Sequence, residues 1–347
     1  MLFLFLGYIL LCLYGIKLHR RSDYLSVPNT QAVKGVFIIL VFFSHFNSYV
    51  TYDSALDLYY KNIVAGFRQT MVTMFLFYSG YGVVESVNKK GLPYLKQFPI
   101  KRILSTLFKF ICAVLIYFLI GVLALRERYS VPRVLLSLVG WESLGNSNWY
   151  IFVVLVLYLI TWLSFRCLHT KNRIFPLLLS LAAVVTLIVV NGIYKVKPYY
   201  WVDTALCYVA GMLWAQYRGK AERFINKHFL IYGAVTVLAF LALEFFKRRT
   251  GTTLNLILWN LSFAGFVVLL TMRLTVKNKV LIWCGQNLFE LYILQRIPMI
   301  LLRPWGMNTY LYFIVCMVIT VVMVWPFKFI TDKLWKLQIP VKAKRIE

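Results

Sequence analysis

The sequence predicts an all-α protein, a polytopic membrane helix bundle with about ten to eleven transmembrane helices. Hydrophobic residues make up 61% of the 347 residues, and the mean hydropathy is +0.73. Apolar runs of about twenty residues, the length that a helix needs to cross a bilayer, recur along the chain. Because no stretch is of low complexity or polar over a long range, we expect one membrane domain to occupy residues 1–347.

The predicted spans begin at the amino terminus. The apolar residues 1–16 are followed by basic residues from Lys17 onward. A signal peptide has its charges before the apolar run, so we expect a short retained span here, additional to the rest of the bundle. The basic segment 86–102 is predicted to be a loop. Ten further spans are predicted at residues 33–50, 63–84, 103–125, 149–168, 174–193, 201–217, 229–246, 254–272, 286–302 and 309–327.

Lys and Arg are distributed unequally between the two sides of this bundle. Cytoplasmic loops of membrane proteins are rich in these residues. With the amino terminus outside and the carboxyl terminus cytoplasmic, the cytoplasmic loops hold more than twice as many Lys and Arg residues as the opposite loops. The sequence therefore predicts a multi-pass protein of the cell membrane in this orientation.

The formal net charge of +26 limits the partners. Most of this charge follows from the topology and from contact with anionic membrane lipids. Nucleic acid is not an expected partner, because the cations are dispersed over short loops. Cations near the predicted cytoplasmic end of the second span suit a polyanionic donor such as coenzyme A, although solvated loops carry such charges too. They are Lys34, Lys89, Lys90, Lys96, Lys101 and Arg102.

The second span carries the most informative pair of residues, Lys34 and His45. Eleven positions separate them, which is almost three helical turns, so both lie on one face roughly 16 Å apart along the axis. His45 is the one histidine inside an apolar run, since His19, His169 and His228 lie in basic segments. An ionisable group in a membrane span indicates function. The alternative is a histidine that packs between helices and is hydrogen-bonded to a neighbour.

The six cysteines lie in or beside apolar segments and form no CxxC pair. We interpret them as small core residues and expect neither a metal site nor a disulfide framework. No bound cofactor is expected.

Other polar residues lie in apolar surroundings. Glu85 either orients an imidazole or lies at the membrane interface. Asp203 is either functional or an ordinary interfacial carboxylate. Glu142, Asn148 and Trp149 belong to a polar and aromatic outer loop that contacts either a sugar or, as an aromatic belt, the lipid head groups.

Five sequence motifs resemble the membrane acyltransferase 3 family. The resemblance covers residues 30–327, nearly the whole chain apart from the first span. Each motif alone is weak, but the five occur in the order found in the family. They are VKGVFIILVFFSH, FLFYSGYGVVES with the basic segment that ends in IKRI, NSNWYIFVVLVLYL, YVAGMLWAQY and LFELYILQRIPMIL.

The resemblance implies an O-acyltransferase. Such an enzyme transfers an acyl group, usually acetyl, from a cytoplasmic thioester to a hydroxyl of an envelope polysaccharide or lipid-linked sugar, with acetyl-CoA as co-substrate. An alcohol is a weak nucleophile, and a neutral imidazole is suited to take its proton. His45 is then the general base or a transient acyl carrier. Lys34, supported by Lys101 and Arg102, would hold the donor phosphates.

Two positions depart from the family pattern. Lys34 stands where arginine is usual, which keeps the charge but loses the bidentate fork of a guanidinium group. Gln295 stands where many relatives have histidine, so we expect this position to have a structural or hydrogen-bonding role. A transporter or flippase for an envelope glycan or lipid is the alternative function. Such proteins often contain paired repeats, and the sequence has no evident internal repeat.

Overall fold

A computed structural model describes residues 1–18, 23–168 and 173–338. Of the residues discussed above, His19 and His169 lie outside this range, as do residues 339–347 of the predicted cytoplasmic terminus. The described chain is almost entirely helical. Its α-helices are α1 (Leu2–Leu13), α2 (Val27–Phe46), α3 (Ala55–Phe67), α4 (Thr70–Phe98), α5 (Ser105–Leu123), α6 (Val131–Leu138), α7 (Trp149–Cys167), α8 (Ile174–Tyr194), α9 (Ala205–Lys227), α10 (Phe229–Thr250), α11 (Thr253–Thr271), α12 (Lys279–Gln286), α13 (Leu288–Leu294), α14 (Arg296–Leu302) and α15 (Thr309–Gln338).

The predicted class, an all-α membrane bundle, is confirmed. Within the described ranges, seven helical stretches are long and apolar enough to cross a membrane. One of them, Ala55–Leu123, runs through α3, α4 and α5. The number of eleven spans and the orientation of the termini stay predictions.

Several helix boundaries differ from the predicted ones. α2 begins at Val27, because Pro28 is compatible with a first helical turn, and it ends at Phe46 rather than at residue 50. The predicted span 63–84 is interrupted at Arg68, which has a positive φ of 44°. The basic segment 86–102 is helical rather than a loop. It is broken only at Gly91, which has a φ of 57°, and it continues as a π-helix over Pro99–Leu104.

The predicted span 286–302 is two short helices, α13 and α14, with a break at Gln295. Pro298 explains this break, because it has no N–H to donate to the carbonyl of Leu294 and its ring crowds that turn. α12 precedes this pair, and α6 occupies part of the predicted outer loop.

Glycine lets α2 and α12 approach each other closely. A Cβ atom at Gly35 would overlap the carbonyl oxygen of Leu281, and one at Gly285 would overlap that of Gln31. Small residues of this kind are typical of helix contacts in membranes, because they allow backbones to meet. The contact fixes the position of the helix that carries Lys34.

α4 and α9 meet in the same way. A Cβ at Gly80 would overlap the carbonyl oxygen of Tyr208, and one at Gly211 would overlap that of Phe77. A short antiparallel ribbon of β1 (Ile16–Leu18) and β2 (Leu274–Val276) joins the end of α1 to the start of α12.

The other end of α2 is held by an aromatic cluster. The rings of Phe43 and Phe313 are stacked with centroids 4.6 Å apart, and the ring of Phe46 meets Phe313 edge-on at 5.0 Å. Such ring pairs stabilise a core beyond the area that they bury. The half of α2 that carries His45 is therefore anchored against α15.

Candidate functional site

The helix α2 contains both Lys34 and His45. At 1.5 Å of rise per residue the two are roughly 16 Å apart along the axis and share a face. The structure gives the two residues different surroundings.

Lys34 lies in the wall of a cavity of about 640 Å³. Four cationic side chains and two carboxylates line it, so the cavity carries an excess of positive charge. Arg102 is close enough to Lys34 for the two cations to repel each other. The charged lining residues are Lys34, Lys89, Arg102, Arg218, Asp23 and Glu85.

Tyrosine and serine hydroxyls complete this cavity. The Lys34 ammonium lies 5.9 Å from the ring centroid of Tyr78, and the Ser79 and Tyr158 hydroxyl oxygens are 3.3 Å apart. The roles of these three residues were not predicted from the sequence. For Tyr78 the available signal is its spacing from Glu85, since the two are seven positions apart on one face of α4.

Arg218 is a further cavity residue that the sequence analysis missed. Its Nε donates to Glu222 Oε1 at 2.5 Å, its Nη1 donates to the Tyr81 hydroxyl at 3.3 Å, and its guanidinium lies over the ring of Tyr24. These contacts hold the guanidinium at the cavity wall. Arg218 follows directly after the quoted YVAGMLWAQY motif.

The residues predicted around Lys34 are only partly brought together. Glu85 lines the cavity and forms an ion pair with Lys89, with 2.9 Å between Oε1 and Nζ. Arg102 and the neighbouring Lys101 are both exposed, but only Arg102 is part of the cavity lining.

His45 lies further along α2. Its Nδ1 is 3.5 Å from the Ser147 hydroxyl, and its ring centroid is 5.9 Å from that of Tyr292. Arg296 is close enough to interact electrostatically with the imidazole. Among the described residues, those that line the Lys34 cavity do not include His45. Ser147 was not predicted, because no local pattern links positions 102 residues apart.

A smaller cavity of about 370 Å³ lies just beyond the end of α2. Ser48, Tyr49 and Arg303 are among its lining residues. The Tyr49 hydroxyl accepts a hydrogen bond of 2.9 Å from Arg296 Nε. Arg296 therefore connects this cavity with the surroundings of His45.

Of the residues predicted to face the acceptor, Glu142, Asn148 and Trp149 belong to the segment that carries Ser147, whereas Asp203 lies elsewhere, just before α9. Asn148 Nδ2 donates to the carbonyls of Gly140 at 2.9 Å and Glu142 at 3.1 Å, which keeps this segment folded. The ring of Trp149 packs 5.9 Å from that of Tyr200. The segment that contains Glu142, Asn148 and Trp149 therefore reaches His45 through Ser147.

Asp203 and Gln295 are both buried, each with 1% exposure. Asp203 lies just before the start of α9, and its backbone carbonyl accepts a hydrogen bond of 3.2 Å from Asn260 Nδ2 on α11. Gln295 Nε2 donates to the backbone carbonyl of Tyr292 at 3.1 Å, across the break between α13 and α14. This contact agrees with a hydrogen-bonding role for Gln295.

A comparison with protein families identifies the class of protein. Residues 29–331 match the family model described as an acyltransferase domain. The protein is therefore an integral membrane acyltransferase. Because the match covers most of the chain, the protein belongs to the membrane acyltransferase 3 family. No curated protein and no solved structure matches the chain significantly.

Proposed function

We propose that the protein transfers an acetyl group from acetyl-CoA to a hydroxyl of an envelope polysaccharide or lipid-linked sugar. The observation that carries this proposal is the arrangement of α2, which presents Lys34 to a basic cavity and His45 to a packed aromatic region. A polyanionic donor with a long flexible arm suits this arrangement. Its charged end would lie in the cavity, and its thioester would extend toward the imidazole.

Lys34 and Arg102 are the proposed ligands of the donor phosphates. An ammonium group attracts phosphate as a point charge, whereas a guanidinium group also donates two parallel hydrogen bonds. The mutual repulsion of Lys34 and Arg102 favours an anion between them. Lys101, exposed beside Arg102, would add only to the general attraction of the donor.

His45 is the proposed base. With Nδ1 facing Ser147, the other ring nitrogen is left to take the proton of the acceptor hydroxyl. The hydroxyl oxygen then attacks the thioester carbonyl, the carbon–sulfur bond breaks, and the coenzyme A thiolate leaves and takes up a proton. In the alternative, His45 accepts the acetyl group first and passes it to the hydroxyl. In either reaction route, Glu85 would lie on the donor side of the site, because it lines the Lys34 cavity.

Purified protein in vesicles tests the proposal. We expect release of coenzyme A from acetyl-CoA only when an envelope glycan is present, together with a mass increase of one acetyl group on that glycan. A transporter would release no thiol. Thiol release without glycan acetylation would contradict the proposed acceptor, and absence of both would contradict the proposed reaction.

The proposed orientation has its own test. With the amino terminus outside, the Lys34 cavity faces the cytoplasm, where acetyl-CoA is made available to the enzyme. A reporter that is active only in the cytoplasm should then be active when it is fused after Glu347. Activity of an outside-only reporter at that position would contradict the orientation.

A further inference from the structure

A second large space lies between α7, α8 and the start of α9, apart from the Lys34 cavity. Its volume is about 590 Å³, and its lining is almost entirely apolar. Val190, which lines it, is 42% exposed, so the space is a groove that is open toward the outside of the bundle. Representative lining residues along the groove are Phe152, Val156, Ile160, Leu187, Val190 and Trp201.

The groove follows helices that are long enough to cross the membrane. Phe152 and Ile160 lie on α7, about 12 Å apart along its axis. A space of this length and composition within a bilayer suits a hydrocarbon chain, since an apolar chain has few polar groups to leave unsatisfied there.

One cation, Lys197, lies in the lining at one end of this groove. Its Nζ donates to the backbone carbonyl of Trp141 at 2.8 Å and lies 4.2 and 4.9 Å from the ring centroids of Trp141 and Trp201. Asn191 fixes the backbone of Lys197 with hydrogen bonds of 2.9 and 3.0 Å. The charge is therefore held at one end of an apolar groove.

The carboxylate near this cation can be replaced. Glu142 Oε1 lies 3.4 Å from Lys197 Nζ, and its side chain is 43% exposed. The exposed Glu142 carboxylate therefore has room to move away, whereas the Lys197 side chain is only 16% exposed and stays in place. A phosphate group carries more charge and more acceptor oxygens, so it competes well for the same ammonium group.

The end of the groove with Lys197 is also the end near the histidine site. Trp141 contacts Lys197, and Ser147, six residues later, lies 3.5 Å from the His45 imidazole. Asn148 folds the segment between them by its bonds to Gly140 and Glu142. A head group bound at Lys197 would therefore lie beside the segment that contacts His45.

We propose that this groove binds the lipid chain of a lipid-linked sugar, with the lipid phosphate at Lys197 and the sugar extended toward His45. The inference rests on the proposed acetyl transfer and selects the lipid-linked acceptor over a free polysaccharide.

Photo-crosslinking tests the lipid site directly. The probe is a polyprenyl phosphate with a diazirine in its chain, added to the full-length protein in phosphatidylcholine nanodiscs. We expect crosslinks to α7 and α8, and competition by unlabelled polyprenyl phosphate at concentrations at least tenfold lower than by polyprenol. Equal competition by polyprenol, or by phosphatidylglycerol, would overturn the proposal, because the groove would then take any chain or any anionic lipid.

Matched variants locate the site. Val190→Trp fills the groove, whereas Val189→Trp adds the same bulk at an exposed neighbour outside the lining. We expect at least a tenfold loss of crosslinking for Val190→Trp and less than a twofold change for Val189→Trp. Equal effects of both variants, at equal thermal stability in detergent, would overturn the proposal.

A second pair of variants tests the phosphate contact. Lys197→Gln should abolish the preference for polyprenyl phosphate over polyprenol, so that both compete at about the same concentration. Lys195→Gln, at an exposed neighbour outside the lining, should leave the preference unchanged. An unchanged preference in Lys197→Gln would overturn this contact.

Failure of the inference and failure of the proposed function are distinguishable. If Val190→Trp abolishes crosslinking but acetylation of the envelope glycan continues at the parent rate, the inference is wrong and the acetyl transfer stands. If no acceptor supports release of coenzyme A, the proposed function is wrong, whereas crosslinking still reports on the lipid site.

Discussion

The two ends of α2 differ in what surrounds them. Lys34 opens into a cavity of about 640 Å³ with charged groups from several helices, whereas His45 contacts the Ser147 hydroxyl and lies against the ring of Tyr292. The open charged end suits binding of a large anion, and the packed end suits a reaction from which water is excluded. In the proposed mechanism, α2 therefore separates donor binding at Lys34 from the chemistry at His45 by roughly 16 Å.

The His45 end is expected to give the largest effect. Asparagine reproduces one hydrogen bond of a neutral imidazole but does not take up a proton at working pH. His45→Asn should therefore insert and fold, while kcat for acetyl transfer falls by about a hundredfold or more, as is typical for the loss of a positioned base. The measurement is turnover per folded molecule, with thermal stability as the control.

A stable His45→Asn protein that still acetylates its acceptor within a few fold of the parent would remove His45 from the mechanism. Poor stability with unchanged turnover per folded molecule would identify His45 as a packing residue instead. Either result would remove the proposed contrast between the two ends of α2.

The Lys34 end is expected to change binding rather than chemistry. A hydrogen bond to a charged group contributes about 1.5 to 3 kcal/mol, so Lys34→Ala should raise the KM for acetyl-CoA by about ten- to a hundredfold. Lys34→Arg should keep activity, since it keeps the charge. A loss of kcat alone in Lys34→Ala would instead indicate that the ammonium group stabilises the transition state.

Two neighbours in the π-helix make this test sharper. Arg102 lines the cavity and Lys101 does not. Arg102→Ala should therefore raise the KM for acetyl-CoA by about tenfold, which corresponds to about 1.4 kcal/mol, while Lys101→Ala should change it by less than about twofold. Equal effects of both substitutions would show that long-range attraction, and not contact in the cavity, governs donor binding.

The contact between α2 and α12 supports both ends of α2. An added Cβ at Gly35 would overlap the backbone of α12, and overpacking of this kind costs about 1 to 3 kcal/mol. Gly35→Ala should lower thermal stability and reduce kcat and raise KM together by a few fold. Gly7→Ala, where a Cβ meets no neighbour, is the control. A shift in kcat alone would show that the two ends of α2 are positioned independently.

The sequence predicted the helix of Lys34 and His45 because helical spacing is a local property. It did not predict Ser147 beside His45, since that contact joins residues far apart in the chain and depends on how the helices pack. The segment 86–102 was predicted to be a loop from its charge. Its Lys, Leu and Gln residues favour a helix, and Gly91 only interrupts it.

The cavity around Lys34 shows the same limit at the level of the site. Lys34, Glu85 and Arg102 were all candidates, and the structure brings them to one cavity. Arg218 was missed, because its place in the site comes from its contacts with Tyr81, which lines the cavity, and with Glu222, rather than from any motif. Charge and spacing therefore predicted which helices contribute charged residues to this cavity, but not which side chains contact one another.

The smallest effect is expected at Gln295, where many relatives have histidine. Its buried side chain donates to the backbone carbonyl of Tyr292 at the break between α13 and α14, and Tyr292 is the residue whose ring faces His45. Gln295→Ala removes one hydrogen bond, which contributes about 1 kcal/mol, so we expect a small drop in thermal stability and a change in turnover of less than about fivefold. Gln295→His keeps a donor and should be tolerated. Complete loss of turnover in a folded Gln295→Ala protein would move this position into the active site, and the packed end of α2 would then contain a second essential polar group.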